Sequence, residues 1–176
     1  MESFQKSLEL KAIIHSVKDY EIPRVAQLTQ KTNQFNLTTR RYSESEVRVF
    51  AEDACSEILT LSVKDKFGDL GLTGVFIAKF KGPLGIVDTL LLSCRILGRQ
   101  LELAFVGECL QKLEQEKKLL RWQAEFLPTK KNQQVNDFWD KVGFNLDIES
   151  EDRKLYSMEK MSRDFLNINF ILIETD

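Results

Sequence analysis

The 176-residue chain is 43% hydrophobic and 30% charged, enough apolar content for the core of one domain spanning 1–176. Its 25 basic and 27 acidic residues leave a net charge of −2, a balance that excludes a general nucleic-acid binder, which needs a concentrated positive surface. A single histidine and three cysteines, with no Cys-x-x-Cys or Cys/His cluster, argue against a metal centre and against a Ser-His-Asp triad.

Along the chain, MESFQKSLELK is charged and has no apolar core, so it does not read as a signal peptide. Leu8 to Val17 is apolar and β-branched, as a first strand would be, and His15 within it reads as a packed residue rather than a catalytic one. Asp19 is positioned to cap a helix from Tyr20 to about Thr32, with Ile22, Val25, Ala26 and Leu28 at helical spacing. The polar stretch QKTNQFNLTTRRY has no period and reads as a loop. Ser43 with Glu46 is a capping-box pattern opening a second helix that runs to about Asp53.

Ser56–Lys64 and Leu72–Phe80 alternate across a Lys66–Asp69 turn and predict an antiparallel hairpin. After the break at Lys81-Gly82-Pro83, Gly85–Arg95 is apolar throughout its middle, as a strand covered on both faces would be. The longest helix is predicted from Gly98 to about Lys118, a strand from Leu119 to Leu127, and a short helix from Asn132 to Val142 stopped by Gly143. Two further strands are predicted near Leu155–Met161 and Leu166–Ile173. This order predicts an α/β fold, a mixed sheet with helices on both faces. The longest apolar run, Thr89 to Cys94, is too short to span a bilayer. Cys55, Cys94 and Cys109 lie in apolar or helical segments, which predicts buried thiols in a reducing, cytoplasmic setting. Basic pairs at Arg40-Arg41, Lys117-Lys118 and Lys130-Lys131 read as solvated.

Two stretches carry chemistry. In SCRILGRQLE a strand ends in Arg-x-x-Gly and opens a helix. The first amides of a helix lack internal partners and sit at its positive end, a glycine permits close backbone approach, and arginines add charge-assisted bonds. The same residues also suit a plain strand-to-helix turn with its charges in water. The second stretch, NQQVNDFWDKVGF, resembles the late helix motif of the GNAT (GCN5-related N-acetyltransferase) superfamily, and Arg95-Ile96-Leu97-Gly98-Arg99-Gln100 falls where that superfamily has its pyrophosphate loop. AQLTQKTNQFNLTTRRYSESEV, FGDLGLTGV, LLLSCRILGRQLE and FLPTKKNQQVNDFWDKVGF together resemble the C-terminal, GNAT-like domain of FkbH-like proteins, over about Leu8 to Phe144. Those proteins fuse a HAD-type phosphatase to this domain and are associated with loading a glyceryl unit onto an acyl carrier protein for methoxymalonyl-type extender units. No Asp-x-Asp-x-Thr/Val phosphatase signature is present, so the chain is expected to be a stand-alone version or a fragment.

The resemblance implies a GNAT-like, mostly antiparallel central sheet and an acyltransferase-type activity on coenzyme A or a phosphopantetheine arm, without metal. The implied partners are an acyl carrier protein and a HAD-type phosphatase domain in cis or in trans, with no nucleic acid and no membrane. The amides of Arg95, Ile96, Leu97, Gly98, Arg99 and Gln100 would hold the phosphate end. Leu92 and Ser93, on the edge of the strand from Leu91 to Cys94, would pair with the pantetheine amides and offer free N–H groups to the thioester carbonyl. Asn132 would contact the arm, its other reading being a helix N-cap. Cys94 is a candidate nucleophile, against the plain reading of an inert packed thiol. Asn33, Asn36, Thr38, Arg40 and Arg41 would line the acceptor side, or else form a polar surface loop. The sequence departs from the pattern at Gln100, where Gly or Ala is usual, and at Trp139, where many GNAT enzymes have a tyrosine acid. The alternative function is a non-catalytic module that docks a carrier protein or a phosphatase.

Overall fold

A computed structural model of the protein describes residues 10–98, 101–160 and 172–175. β1 (Lys11–Ser16) leads through a 3₁₀ turn at Asp19–Glu21 into α1 (Ile22–Lys31), then β2 (Phe35–Asn36) and α2 (Glu44–Glu52). β3 (Ser56–Asp65), β4 (Gly68–Lys81) and β5 (Leu84–Leu92) follow, then α3 (Leu101–Lys117), β6 (Arg121–Phe126), α4 (Phe138–Val142), β7 (Asn145–Glu149), β8 (Lys154–Glu159) and β9 (Leu172–Thr175). The strands form one sheet in the order β7-β8-β6-β5-β4-β3-β1-β9, with β2 paired to β5 away from that path. Among the described residues every pairing is antiparallel except β1–β9 and β5–β6.

Period-two alternation divides the sheet between two cores. Val75 and Ile77 of β4 face α1 and α2, where they meet Val25, Leu28 and Val47. Phe76 and Ala78 face the other way, into a larger core with Phe105, Cys109, Leu113, Phe138 and Trp139 of α3 and α4. Helices therefore cover both faces, as the sequence implied. The Ser43 hydroxyl accepts the Glu46 N–H while the Glu46 carboxylate accepts the Ser43 N–H at 2.8 Å, so the expected capping box opens α2.

Four expectations need correction. Asp19 does not cap α1: the chain makes a 3₁₀ turn first, and the helix starts at Ile22 with Pro23 in its first turn. The Asn132–Val142 helix is a 3₁₀ turn at Gln133–Val135 followed by α4, ended by Gly143 in the left-handed region at φ 98°. β7, with Leu146 and Ile148 in a fully exposed strand, was not anticipated. Cys55 and Cys94 are exposed, and only Cys109 is buried. The strand expected near Leu166–Ile173 lies mostly outside the described residues, which resume at β9. His15 is packed, as expected, with its Nε2 2.9 Å from the Glu21 carboxylate.

Candidate functional site

β5 and β6 run parallel for only three residues, Leu84–Ile86 against Arg121–Gln123, and then diverge. The close stretch depends on Gly85: a Cβ there would sit 2.4 Å from the Trp122 ring. Beyond it, Asp88 is an extra residue in β5, since Ile77 pairs with Thr89 and Ala78 with Val87. The gap that opens between the two strands is filled by the chain itself. Phe35 and Asn36 pair with Leu92 and Leu91. The Leu37 N–H donates to the Leu90 carbonyl at 3.1 Å, and the Leu127 N–H donates to the Leu37 carbonyl at 2.9 Å. Phe35 stands edge-on to Phe138 with ring centroids 5.1 Å apart. Phe35 and Leu37 are core residues, each burial worth about 1.5–3 kcal/mol.

Side chains lock this segment in place. The Asn132 amide donates to the Asn36 and Leu127 carbonyls at 2.9 and 3.0 Å, and its oxygen accepts the Thr129 N–H at 2.7 Å. Asn36 donates to the Thr32 carbonyl and accepts from the Thr39 N–H. The Thr38 hydroxyl donates to the Asp88 carbonyl at 3.0 Å, and Arg40 donates to the same carbonyl at 2.7 Å while pairing with Glu125. Arg41 donates to the Thr29 and Thr32 carbonyls at the end of α1 and to Asn33.

Several expected ligand contacts are thereby reassigned. Asn132, Asn36 and Thr38 are buried with their polar groups spent inside the protein, and Asn132 does not cap the following turn either. The edge of β5 is not free: Leu91 and Leu92 have neighbours on both sides, and the Ser93 N–H donates to the Thr73 carbonyl at 2.7 Å. Arg40 is half-buried in the Asp88–Glu125 cluster. That cluster is tight. Asp88, buried on β5, accepts from Tyr42 at 2.7 Å and pairs with Lys79 at 2.8 Å. Burial alone pushes the Asp88 carboxyl upward, but the bonds from Lys79 and Tyr42 outweigh it and hold the group below its ordinary value. Burial, followed by the Asp88 bond and charge, pushes the Tyr42 phenol well up.

The turn after β5 carries the residues that the sequence singled out as a phosphate loop. Ser93 caps a 3₁₀ turn at Cys94–Ile96, Ile96 enters the core, and Gly98 takes a left-handed φ of 77°. The Gly98 N–H, an amide suited to an anion, already donates to the Glu102 carboxylate at 2.9 Å. Arg99 and Gln100 lie outside the described residues. The outer side of this turn borders a groove of about 820 Å³ whose walls include Phe35, Leu92, Ser93, Cys94 and Asn33. Among the described residues five cations line it, Arg24, Lys31, Arg95, Lys130 and Lys131, and no carboxylate does. Among the described residues, Lys31, Arg95, Lys130 and Lys131 make no ion pair, in contrast to Arg40, Lys64, Lys79, Lys117 and Arg153. Sequence reading did not single out Arg24 and Lys31; Lys130 and Lys131 are exposed, as the solvated reading expected, and also line this groove.

Trp139, where the resemblance has a tyrosine acid, is a core residue packed edge-on to Phe138 and at a tilt against Phe144, its indole N–H donating to the Glu125 carbonyl at 3.2 Å. Among the described residues no group of His, Cys, Asp and Glu is arranged to hold a metal ion, and no helix is long and apolar enough to cross a membrane.

No family model matches the sequence, and no curated protein does. Solved structures do match. A domain from Methanocaldococcus jannaschii superposes with TM-score 0.66 at 13% identity, covering 85% of this chain and 99% of that one. A ribosomal-protein-alanine N-acetyltransferase from Escherichia coli matches with TM-score 0.65 at 11% identity, covering 87% and 97%. An acetyltransferase of the GNAT family from Streptococcus pneumoniae matches with TM-score 0.62 at 12% identity, covering 85% and 99%. The chain has the GNAT acetyltransferase fold.

Proposed function

We propose that residues 1–176 form an acyltransferase-type domain of the FkbH-like kind, which engages an acyl thioester carried on a phosphopantetheine arm, with an acyl carrier protein as its partner. The observation that carries this reading is the groove, which Cys94 lines together with Arg95, Lys31, Lys130 and Lys131. A cluster of cations suits the phosphate end of such an arm, and an exposed thiol beside them suits its acyl end. In this reading the thioester C–S bond breaks, a new one forms to Cys94 Sγ, and the thiol proton passes to the departing sulfur. The acyl group, a glyceryl unit by the same resemblance, then leaves for its acceptor. On the acceptor side the reading uses Asn33, which lines the groove, and Arg41, which donates to Asn33. Location in the cytoplasm and a HAD-type phosphatase acting in cis or in trans belong to the same proposal.

A second reading is favoured by a specific observation. The β5–β6 gap is filled and Trp139 is no acid, so the fold is also consistent with a module that docks a carrier protein without turnover. Incubation with acyl-loaded carrier protein, followed by intact-mass analysis, separates them. Transfer that is lost in Cys94→Ser and in the double variant Arg95→Ala/Lys130→Ala supports the first reading. Carrier binding with no acyl transfer under any loading supports the second.

A further inference from the structure

In a GNAT fold used in the way the sequence resemblance implies, an arm lies against the free edge of β5 and its phosphate meets the amides of the turn that follows. Both seats hold parts of this chain. The edge of β5 is taken by Phe35, Asn36 and Leu37, with Leu37 bonded to Leu90 on one side and Leu127 on the other. The Gly98 amide is taken by the Glu102 carboxylate, an anion covalently part of the chain. The filler is not a loosely laid loop. Phe35 and Leu37 are buried in the main core, Asn36 and Thr38 are buried and hydrogen-bonded, and Asn132, Arg40 and Asp88 hold the segment from three directions. Coenzyme A in a threaded pose does not fit these residues.

We propose that β2 is a permanent filler of the β5–β6 gap, and that a phosphopantetheine ligand is held in the outer groove by its phosphate without threading between the strands. The proposal rests on the functional reading above for the identity of the ligand, but not for the filling of the gap. It makes Phe35–Leu37 a specificity element: ligands are sorted by the anion they present to Arg24, Lys31, Arg95, Lys130 and Lys131, and the length of an apolar arm contributes little.

Amide hydrogen exchange on the whole protein tests both halves. Without ligand, the Leu37 and Leu127 amides are expected to exchange at a rate within about tenfold of the Phe76 amide in the sheet core. With saturating coenzyme A or 4′-phosphopantetheine that protection is expected to persist, while dephosphorylated pantetheine binds at least about tenfold more weakly than phosphopantetheine. Exchange at Leu37 more than about a hundredfold faster than at Phe76, or loss of protection when ligand is added, overturns the filling. Equal binding of pantetheine and phosphopantetheine overturns the phosphate anchor. If no phosphopantetheine ligand binds at all, the anchor and the functional reading both fail, and the exchange rates of the free protein still decide whether β2 is a fixed filler.

Discussion

Asn132 has three hydrogen bonds to backbone groups and no exposed surface, so its removal exposes the cost of buried polarity. In Asn132→Ala two carbonyls and one N–H lose partners in a region closed to water. A loss of about 2–3 kcal/mol in urea unfolding is expected, since each orphaned buried group costs on the order of 1–3 kcal/mol and partial relaxation recovers some of it. A change below about 0.5 kcal/mol would show that the amide is not holding β2 to the Leu127 end of β6. His15 makes the companion case. Its Nε2 satisfies the buried Glu21 carboxylate, which also accepts the Lys18 N–H at 2.9 Å, while Nδ1 is buried without a partner among the described residues. His15→Ala is therefore expected to cost about 2 kcal/mol or more, because it strands a carboxylate rather than because it removes a well-satisfied ring. A double-mutant cycle with Glu21→Ala should show a coupling of about 1–3 kcal/mol, and additive effects would refute the pairing.

At the scale of elements, legibility followed sequence distance. The capping box of α2 was readable because Ser43 and Glu46 are three residues apart, and Ser43→Ala should cost about 1 kcal/mol in the same unfolding assay. The β3–β4 hairpin and the α3 helix were readable because a periodic apolar face is a local record of where the core lies. β2 was not readable, because nothing in TNQFN announces a partner strand some fifty residues away. Asn132 was misread for the same reason: its partner Asn36 is 96 positions distant, and an Asn before a turn looks locally like a cap or a ligand contact. The turn after β5 was readable as a turn from Arg95 and Gly98, whereas the other cations lining the groove beside it come from α1 and from the segment before Asn132. Gly85 joins these scales. It lets β5 approach β6 over the Trp122 ring, so Gly85→Ala should force the pair apart at its one close stretch. The expected cost is about 1–3 kcal/mol, and a melting temperature unchanged from the parent would contradict it.

Across the whole molecule, the sheet is held where it splits by a charge cluster that draws on β4, β5, β6 and the segment between β2 and α2. Asp88 on β5 gathers Lys79 from β4, Tyr42 from the approach to α2 and Arg40 from the end of the filler segment; Arg40 then reaches Glu125 on β6, which also pairs with Arg153. Linkage fixes how this responds to pH. The Asp88 carboxyl is held below its unfolded value by Lys79 and Tyr42 against the opposing effect of burial, so its contribution is complete above the ordinary aspartate value near about 4 and is lost as pH falls through the lower folded value. Tyr42 has the opposite sign. Its phenol is raised by burial and by Asp88, so its contribution is complete below its ordinary value near about 10 and is lost as pH rises past that toward the folded value. Between those limits the cluster contributes fully to keeping β5, β6 and the filler together. Asp88→Asn keeps the backbone carbonyl that Thr38 and Arg40 use, but removes the charge that Lys79 and Tyr42 face. Such a variant should lose about 1–3 kcal/mol at neutral pH, and its stability should fall less steeply than the parent's below pH about 4. Its alkaline limb should move as well, because the Tyr42 phenol would no longer be raised by a neighbouring carboxylate. Urea midpoints measured across the full range for both proteins provide the test: parallel acid limbs would remove Asp88 as the source of the acid sensitivity, and with it the claim that one buried carboxylate ties the two halves of the sheet together.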